Sequence, residues 1–199
     1  MRIMTILGSP RRDGNTARVL QWLEEQLLAD GHTVDHVHIV DYDVGGCKEC
    51  MACKKGTVDL CAVEDDANAL LRRMVAADVV FFAAPVFCWG FPAQIKGLID
   101  RMFCLMDFDG ARPGAPRLHG KAMGLAVTAG GDEEDNAELL IRGFDNLVDL
   151  VKAVPLGHLL IPGCTEPDAL TGDIRSQVAE FAKVLFAKEE QEGNSGERP

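Results

Sequence analysis

Residues 79–84, Val-Val-Phe-Phe-Ala-Ala, form a run with no polar position. A strand with one face in water alternates apolar and polar side chains, whereas a strand covered on both faces does not. The run therefore points to the interior of a parallel sheet with helices on both sides. The rest of the chain supports that reading. Residues 3–7, 33–40, 122–128 and 154–161 read as four more strands. Helical periodicity separates them. It appears near residues 15–29, with Leu20, Leu23 and Leu27 on one face, and near residues 67–76. It returns at Ile95, Leu98, Ile99 and Met102, at Leu140, Phe144, Leu147, Val148 and Val151, and at Ile174, Val178, Phe181 and Leu185. Five strands alternating with helices predict an α/β fold with a doubly wound, five-stranded parallel sheet.

The length of 199 residues suits one domain, expected over residues 1–187, with a polar tail at 188–199 expected to be disordered. The loop at 107–120 contains Pro113, Gly114 and Pro116 and is long enough to serve as a lid or an interface. The formal net charge of -11 argues against a nucleic-acid partner, which needs clustered Lys and Arg. No apolar stretch is long enough for a membrane span, and residues 1–8 read as a strand rather than a signal peptide. The expected location is cytoplasmic, with no membrane partner.

In an open parallel sheet, ligands bind beyond the carboxyl ends of the strands, where the winding reverses. The loop after the first strand is Gly-Ser-Pro-Arg-Arg-Asp-Gly-Asn-Thr, residues 8–16. It runs into a helix N-terminus, where backbone N–H groups and the helix dipole favour an anion. Ser9, Asn15 and Thr16 add polar groups, and Arg11 or Arg12 adds charge. Neither G-x-G-x-x-G nor a Walker loop is present, so a single terminal phosphate suits the segment better than a pyrophosphate. An ordinary capped turn is the plainer alternative. The loop after the third strand, residues 85–94, offers backbone groups and the aromatics Phe87 and Trp89, which could border a heteroaromatic ring or fill core space. After the fourth strand, Thr128-Ala129-Gly130-Gly131-Asp132 permits close backbone approach.

Taken together, G-S-P-R-x-x-G-N-T at 8–16, P-V-F-x-W-G at 85–90 and A-Q-I-K-G-L-I-D-R at 93–101 resemble the flavodoxin-like NAD(P)H-dependent FMN reductase superfamily over roughly residues 1–185. The resemblance implies sheet order 2-1-3-4-5 and an FMN cofactor. By that resemblance Ser9, Arg11, Asn15 and Thr16, with Gly14 in the same loop, would hold the FMN phosphate. Pro85, Val86, Phe87, Trp89 and Gly90 would border the isoalloxazine, and Thr128, Gly130 and Gly131 would close the other side. Cys88 departs from the family pattern. No catalytic side chain is assigned, because hydride transfer from NAD(P)H to a flavin requires no side-chain acid or base. A homodimer or homotetramer is the implied assembly.

Four of the seven cysteines crowd into C-x2-C-x2-C-x7-C: Cys47, Cys50, Cys53 and Cys61. Such crowding in a reducing compartment suggests metal or redox chemistry rather than structural disulfides. Three closely spaced cysteines with a distant fourth can wrap a [4Fe–4S] cluster. Ala62 stands where a bacterial ferredoxin has proline, so the segment is not a ferredoxin insert. It is similar to the compact motif of the iron–sulfur flavoproteins, a branch of the same superfamily, and Glu64-Asp65-Asp66 matches the acidic turn that follows there. Zinc on four thiolates, a Cys50–Cys53 thiol–disulfide centre and plain thiols remain alternatives. Cys104 and Cys164 read as core or loop residues. The five histidines show no pairing with a plausible nucleophile or carboxylate, residues 132–135 read as a solvated first helical turn, and Asp100 and Arg101 as structural.

Three functions follow as expectations. The first is an NAD(P)H-dependent FMN oxidoreductase that reduces a small acceptor such as a quinone, a free flavin, or an azo or nitro compound. The second is an iron–sulfur flavoprotein electron carrier fed by a redox protein such as ferredoxin. The third is a redox-inert FMN-binding module.

Overall fold

The apolar run at its centre becomes β3, Val79–Pro85, buried at every position but its last. The computed structural model describes residues 1–106, 117–167 and 169–193. Around β3 the chain lays down β1 (Arg2–Leu7), α1 (Asn15–Ala29), β2 (Thr33–His38) and α2 (Ala67–Ala76) before it. Then follow α3 (Ala93–Arg101), β4 (Ala122–Thr128), α4 (Glu138–Val151), β5 (Val154–Ile161) and α5 (Gly172–Gly193). The strands form one parallel sheet in the order β2-β1-β3-β4-β5. β1 and β3 are neighbours, so the winding reverses between them, as the resemblance implied.

Two apolar layers cover the sheet. On one face, Val19, Leu20, Leu23 and Leu27 of α1 pack with Val178, Ala182 and Leu185 of α5 against Ile3, Phe81 and Ala126. On the other, Leu70, Leu71 and Met74 of α2, Ile95 and Leu98 of α3, and Leu140, Phe144 and Val148 of α4 pack against Met4, Val80, Phe82 and Leu125. Alternate residues of each central strand thus supply opposite layers, and for that reason the sequence of β3 shows no polar position. Gly8, just past β1, lets α3 approach the strand end, because a Cβ there would lie 2.8 Å from Ile95 Cδ1.

Three details differ from the sequence expectations. β2 ends at His38, and a 3-10 turn takes Ile39–Asp41. Residues 133–137 do not begin α4; they form an irregular turn with Asp135 at φ 63°, and α4 starts at Glu138. The turn is held open by Trp89 Nε1–H, which donates to the Asp135 carbonyl at 2.9 Å, a tertiary bond outside any local pattern. α5 runs to Gly193, into the segment whose composition suggested a tail. Most of the expected lid, residues 107–116, and the end of the tail, 194–199, lie outside the described residues. Among the described residues, no helix is long and apolar enough to cross a membrane.

Gly124 sits at the β4–β5 register shift, and a Cβ there would fall 2.5 Å from Phe81 Cε2. Phe81 cannot swing freely, because its ring packs edge-on to Phe181 at 6.1 Å. Gly124→Ala should therefore overpack this layer and destabilise the fold by about 1–3 kcal/mol. Urea unfolding should show a lower midpoint with an unchanged slope.

Candidate functional site

The loops beyond β1, β3, β4 and β5 enclose a cavity of about 250 Å³. Ser9, Arg11, Gly14, Asn15, Thr16, Pro85, Val86, Phe87, Thr128 and Gly130 line it, so ten of the residues expected from the sequence share one cavity. Trp89, Gly90 and Gly131 are not among its lining residues. Trp89 is 57% exposed and tied to the turn after β4. Gly90 closes a tight reversal with Phe87, each N–H donating to the other's carbonyl at 3.0 Å. Cys88 and Trp89 hold the two central positions at φ 47° and 62°, the left-handed geometry of a hairpin turn with non-glycine residues. That conformation stores local strain of the kind found at ligand clamps.

Hydrogen bonds knit the cavity wall. Thr16 Oγ1 and Thr128 Oγ1 are 2.6 Å apart and buried, joining α1 to the end of β4. Asn15 Nδ2 donates to the Glu166 carbonyl at 2.8 Å, joining α1 to the loop after β5. Its Oδ1 is buried and has no hydrogen-bond partner among the described residues. Among the described residues, no side chain caps the N-terminus of α1 at Gly14. A helix start without a cap, an arginine and an orphaned acceptor form an unfinished polar surface, suited to a ligand with an anionic end and hydroxyl donors. Of the two arginines in this loop, Arg11 lines the cavity while Arg12 pairs with Asp41. Ala129, Cys164, Thr165 and Pro167 also line the cavity and escaped the sequence reading. Residues 162–167 look like an ordinary connection, and the strand-end rule, applied to strands one, three and four alone, would have pointed there had it been extended to β5. Burial pushes the Cys164 thiol above its ordinary value.

Cys47, Cys50, Cys53 and Cys61 line a second cavity, of about 490 Å³, with Asp100 and Phe103 on its wall. Glu49 and Met51 take left-handed φ of 50° and 60°, so the backbone reverses repeatedly between the cysteines. Lys54 Nζ donates to the carbonyls of Phe103 and Met106 at 2.6 Å, and Asn68 brackets Cys61 by bonding both its N–H and its carbonyl. Among the described residues, no three His, Cys, Asp or Glu side chains converge closely enough to hold a metal ion. Four thiols around one cavity are the kind of donor set an iron–sulfur cluster takes. Cys104 lies behind this wall. Burial, with Cys61 and Cys53 nearby, pushes its thiol up to about 12.

Residues 1–163 match the family described as NADPH-dependent FMN reductase. An iron-sulfur flavoprotein of Methanosarcina thermophila is 31% identical over 157 residues, 79% of this chain and 78% of the relative. An iron-sulfur flavoprotein of Archaeoglobus fulgidus is 32% identical over 199 residues, 95% of this chain and 84% of the relative. Among solved structures, the FMN-dependent NADH-azoreductase of Bacillus anthracis in complex with FMN superposes with a TM-score of 0.70. At 14% identity over 93% of this chain and 99% of that one, it attests the fold.

A third cavity, of about 490 Å³, lies between α1 and β2 and is lined by Arg12, Arg18, Glu24, His36, His38 and Asp41 among others. The structure corrects the reading that no histidine pairs with a carboxylate. His36 Nδ1 meets Glu24 Oε1 at 2.7 Å, and buried His38 Nε2 meets the Ser9 carbonyl of the first loop at 2.8 Å. Both contacts are tertiary, between strand and helix or loop, and leave no spacing signal. Glu24 raises the His36 pKa by its hydrogen bond, against burial, with Asp41 and Asp35 adding their charge. A raised folded-state pKa means that the protonated ring stabilises the fold below the unfolded histidine value of about 6.5 and loses that effect as pH rises through the folded value. Wild type should therefore exceed His36→Gln in stability by more at about pH 5.5 than at about pH 8.5, the two sides of that window. Paired thermal melts would measure this, and an equal gap at both values would contradict it.

Proposed function

The chain belongs to the NADPH-dependent FMN reductase family, alongside its iron–sulfur flavoproteins, and we propose that it is an FMN oxidoreductase whose four-cysteine loop holds a [4Fe–4S] cluster. The observation that carries the flavin site is the convergence of Ser9, Arg11, Gly14, Asn15, Thr16, Pro85, Val86, Phe87, Thr128 and Gly130 on one cavity. Bound FMN supplies the redox chemistry, and the protein supplies binding, orientation and electrostatics.

In this reading the N-terminus of α1, with Arg11 and Ser9, receives the phosphate. Asn15 Oδ1, buried and without a partner among the described residues, would accept a hydroxyl of the ribityl chain. Thr16 and Thr128 hold the wall between the phosphate loop and the β4 end. Phe87, 47% exposed, and Trp89 flank the mouth and border the ring, with the left-handed turn at Cys88 and Trp89 fixing their backbone. Gly90 and Gly131 act by shaping the loops that carry these contacts. Cys47, Cys50, Cys53 and Cys61 would ligate the cluster, which provides a one-electron centre beside the two-electron flavin. The catalytic cycle uses NAD(P)H as reductant and a small acceptor such as a quinone, a free flavin, or an azo or nitro compound. The protein acts in the cytoplasm as a homodimer or homotetramer.

A second reading is favoured by the cysteine cavity: an electron carrier fed by a protein donor such as ferredoxin. Stopped-flow reduction separates the two. Rapid flavin bleaching by NADH or NADPH is expected, while slow bleaching by both with fast reduction by ferredoxin would establish the carrier. The flavin site itself is tested by Asn15→Ala, which should weaken FMN binding about 10- to 100-fold, the loss of one or two hydrogen bonds in a site with a charged ligand. Fluorescence quenching on titrating FMN into apoprotein measures it, and unchanged affinity would remove Asn15 from the site.

A further inference from the structure

The side chain of Arg101, at the end of α3, has 0% exposure, and each of its N–H groups is used. Nη1 donates to the Gly45 carbonyl at 3.1 Å and to Asp65 Oδ2 at 2.7 Å. Nη2 donates to the Val63 carbonyl and to Asp65 Oδ1, both at 3.1 Å. The remaining donor, Nε–H, is directed at Cys61 Sγ at 3.1 Å. Asp65 is itself fixed, accepting from the backbone N–H of Gly45 at 3.0 Å and of Ala67 at 3.1 Å. Four bonds to carbonyls and a carboxylate thus lock the guanidinium plane, and the lock aims the fifth at one cysteine.

We propose that Arg101 is a positioning residue that sets the reduction potential of the four-cysteine site through its Nε–H···Sγ bond to Cys61. The proposal rests on the reading of those cysteines as cluster ligands. A hydrogen bond to a ligand sulfur withdraws electron density and favours the reduced, more negative state, so it raises the potential. Asp65 neutralises the guanidinium charge within the same contact. The effect on Cys61 is therefore carried by the directed bond rather than by an unbalanced cation. The four cysteines differ accordingly. Cys47 and Cys50 are exposed, and Cys47 Sγ accepts a backbone N–H from Glu49 at 3.4 Å. Cys61 instead meets a buried guanidinium on a rigid frame. A lysine has no planar fork to reproduce this bond, so retaining the charge should not retain the potential.

Anaerobically purified wild type, Arg101→Lys and Arg101→Gln are titrated with dithionite in a spectroelectrochemical cell, with iron content measured on the same samples. Both variants should shift the one-electron equilibrium about tenfold toward the oxidised state, a fall of about 59 mV. Iron-loaded Arg101→Lys at the wild-type potential would overturn the assignment. Removing one partner of a buried ion pair can prevent folding, so a second measurement uses wild type alone. In protein labelled with 15N-arginine and reduced, pulsed EPR should detect a 15N coupling to the cluster spin, and its absence would overturn the proposal. Wild type with no iron would instead overturn the cluster reading on which the proposal stands.

Discussion

A parallel sheet delivers every strand to the same edge, and the rest of this molecule follows from that polarity. Because the strands run together, the segments after β1, β3, β4 and β5 must all emerge on one side. Because the winding reverses between β1 and β3, those segments diverge and leave a crevice. The apolar layers on the two faces keep the strands rigid, so irregular backbone is pushed into the loops. There the chain can hold the left-handed turn at Cys88 and Trp89, the start of α1 at Gly14, without a side-chain cap among the described residues, and the buried Oδ1 of Asn15, without a partner among them. None would persist without the covered sheet beneath them.

The buried Arg101–Asp65 pair does the equivalent work for the cysteine loop. An isolated buried charge is expensive, and a buried pair is tolerated when the remaining donors and acceptors are also satisfied. Here backbone carbonyls of Gly45 and Val63 and amides of Gly45 and Ala67 complete the set. The pair thereby ties α3, the strand of chain before Cys47, the residues after Cys61 and the start of α2 into one unit. The long excursion between β2 and α2 is anchored at both ends by a single side chain on another helix.

Elements whose signal is local were legible from the sequence. The alternation of apolar runs and helical periodicity is written into consecutive residues, and it located every strand. That the loop after β1 would face a cavity was legible because glycine, serine and asparagine before a helix have a local chemistry. What escaped depends on contacts between distant residues. Cys164 and Thr165 joined the cavity because β5 ends beside β4, not because their segment carries a motif. The pairing of His36 with Glu24 needs α1 packed on β2. Arg101 read as structural, and its bond to Cys61 emerges only when α3 crosses the cysteine loop. The bond from the Trp89 indole to the turn after β4 likewise joins distant loops and leaves no local pattern.

The proposed function is tested first by a visible spectrum of anaerobically purified protein, with flavin, iron and acid-labile sulfide assayed on the same sample. Flavin bands over a broad iron–sulfur absorption are expected, with one FMN per chain and about four irons. Protein that carries no flavin and takes up none when FMN is added would contradict it.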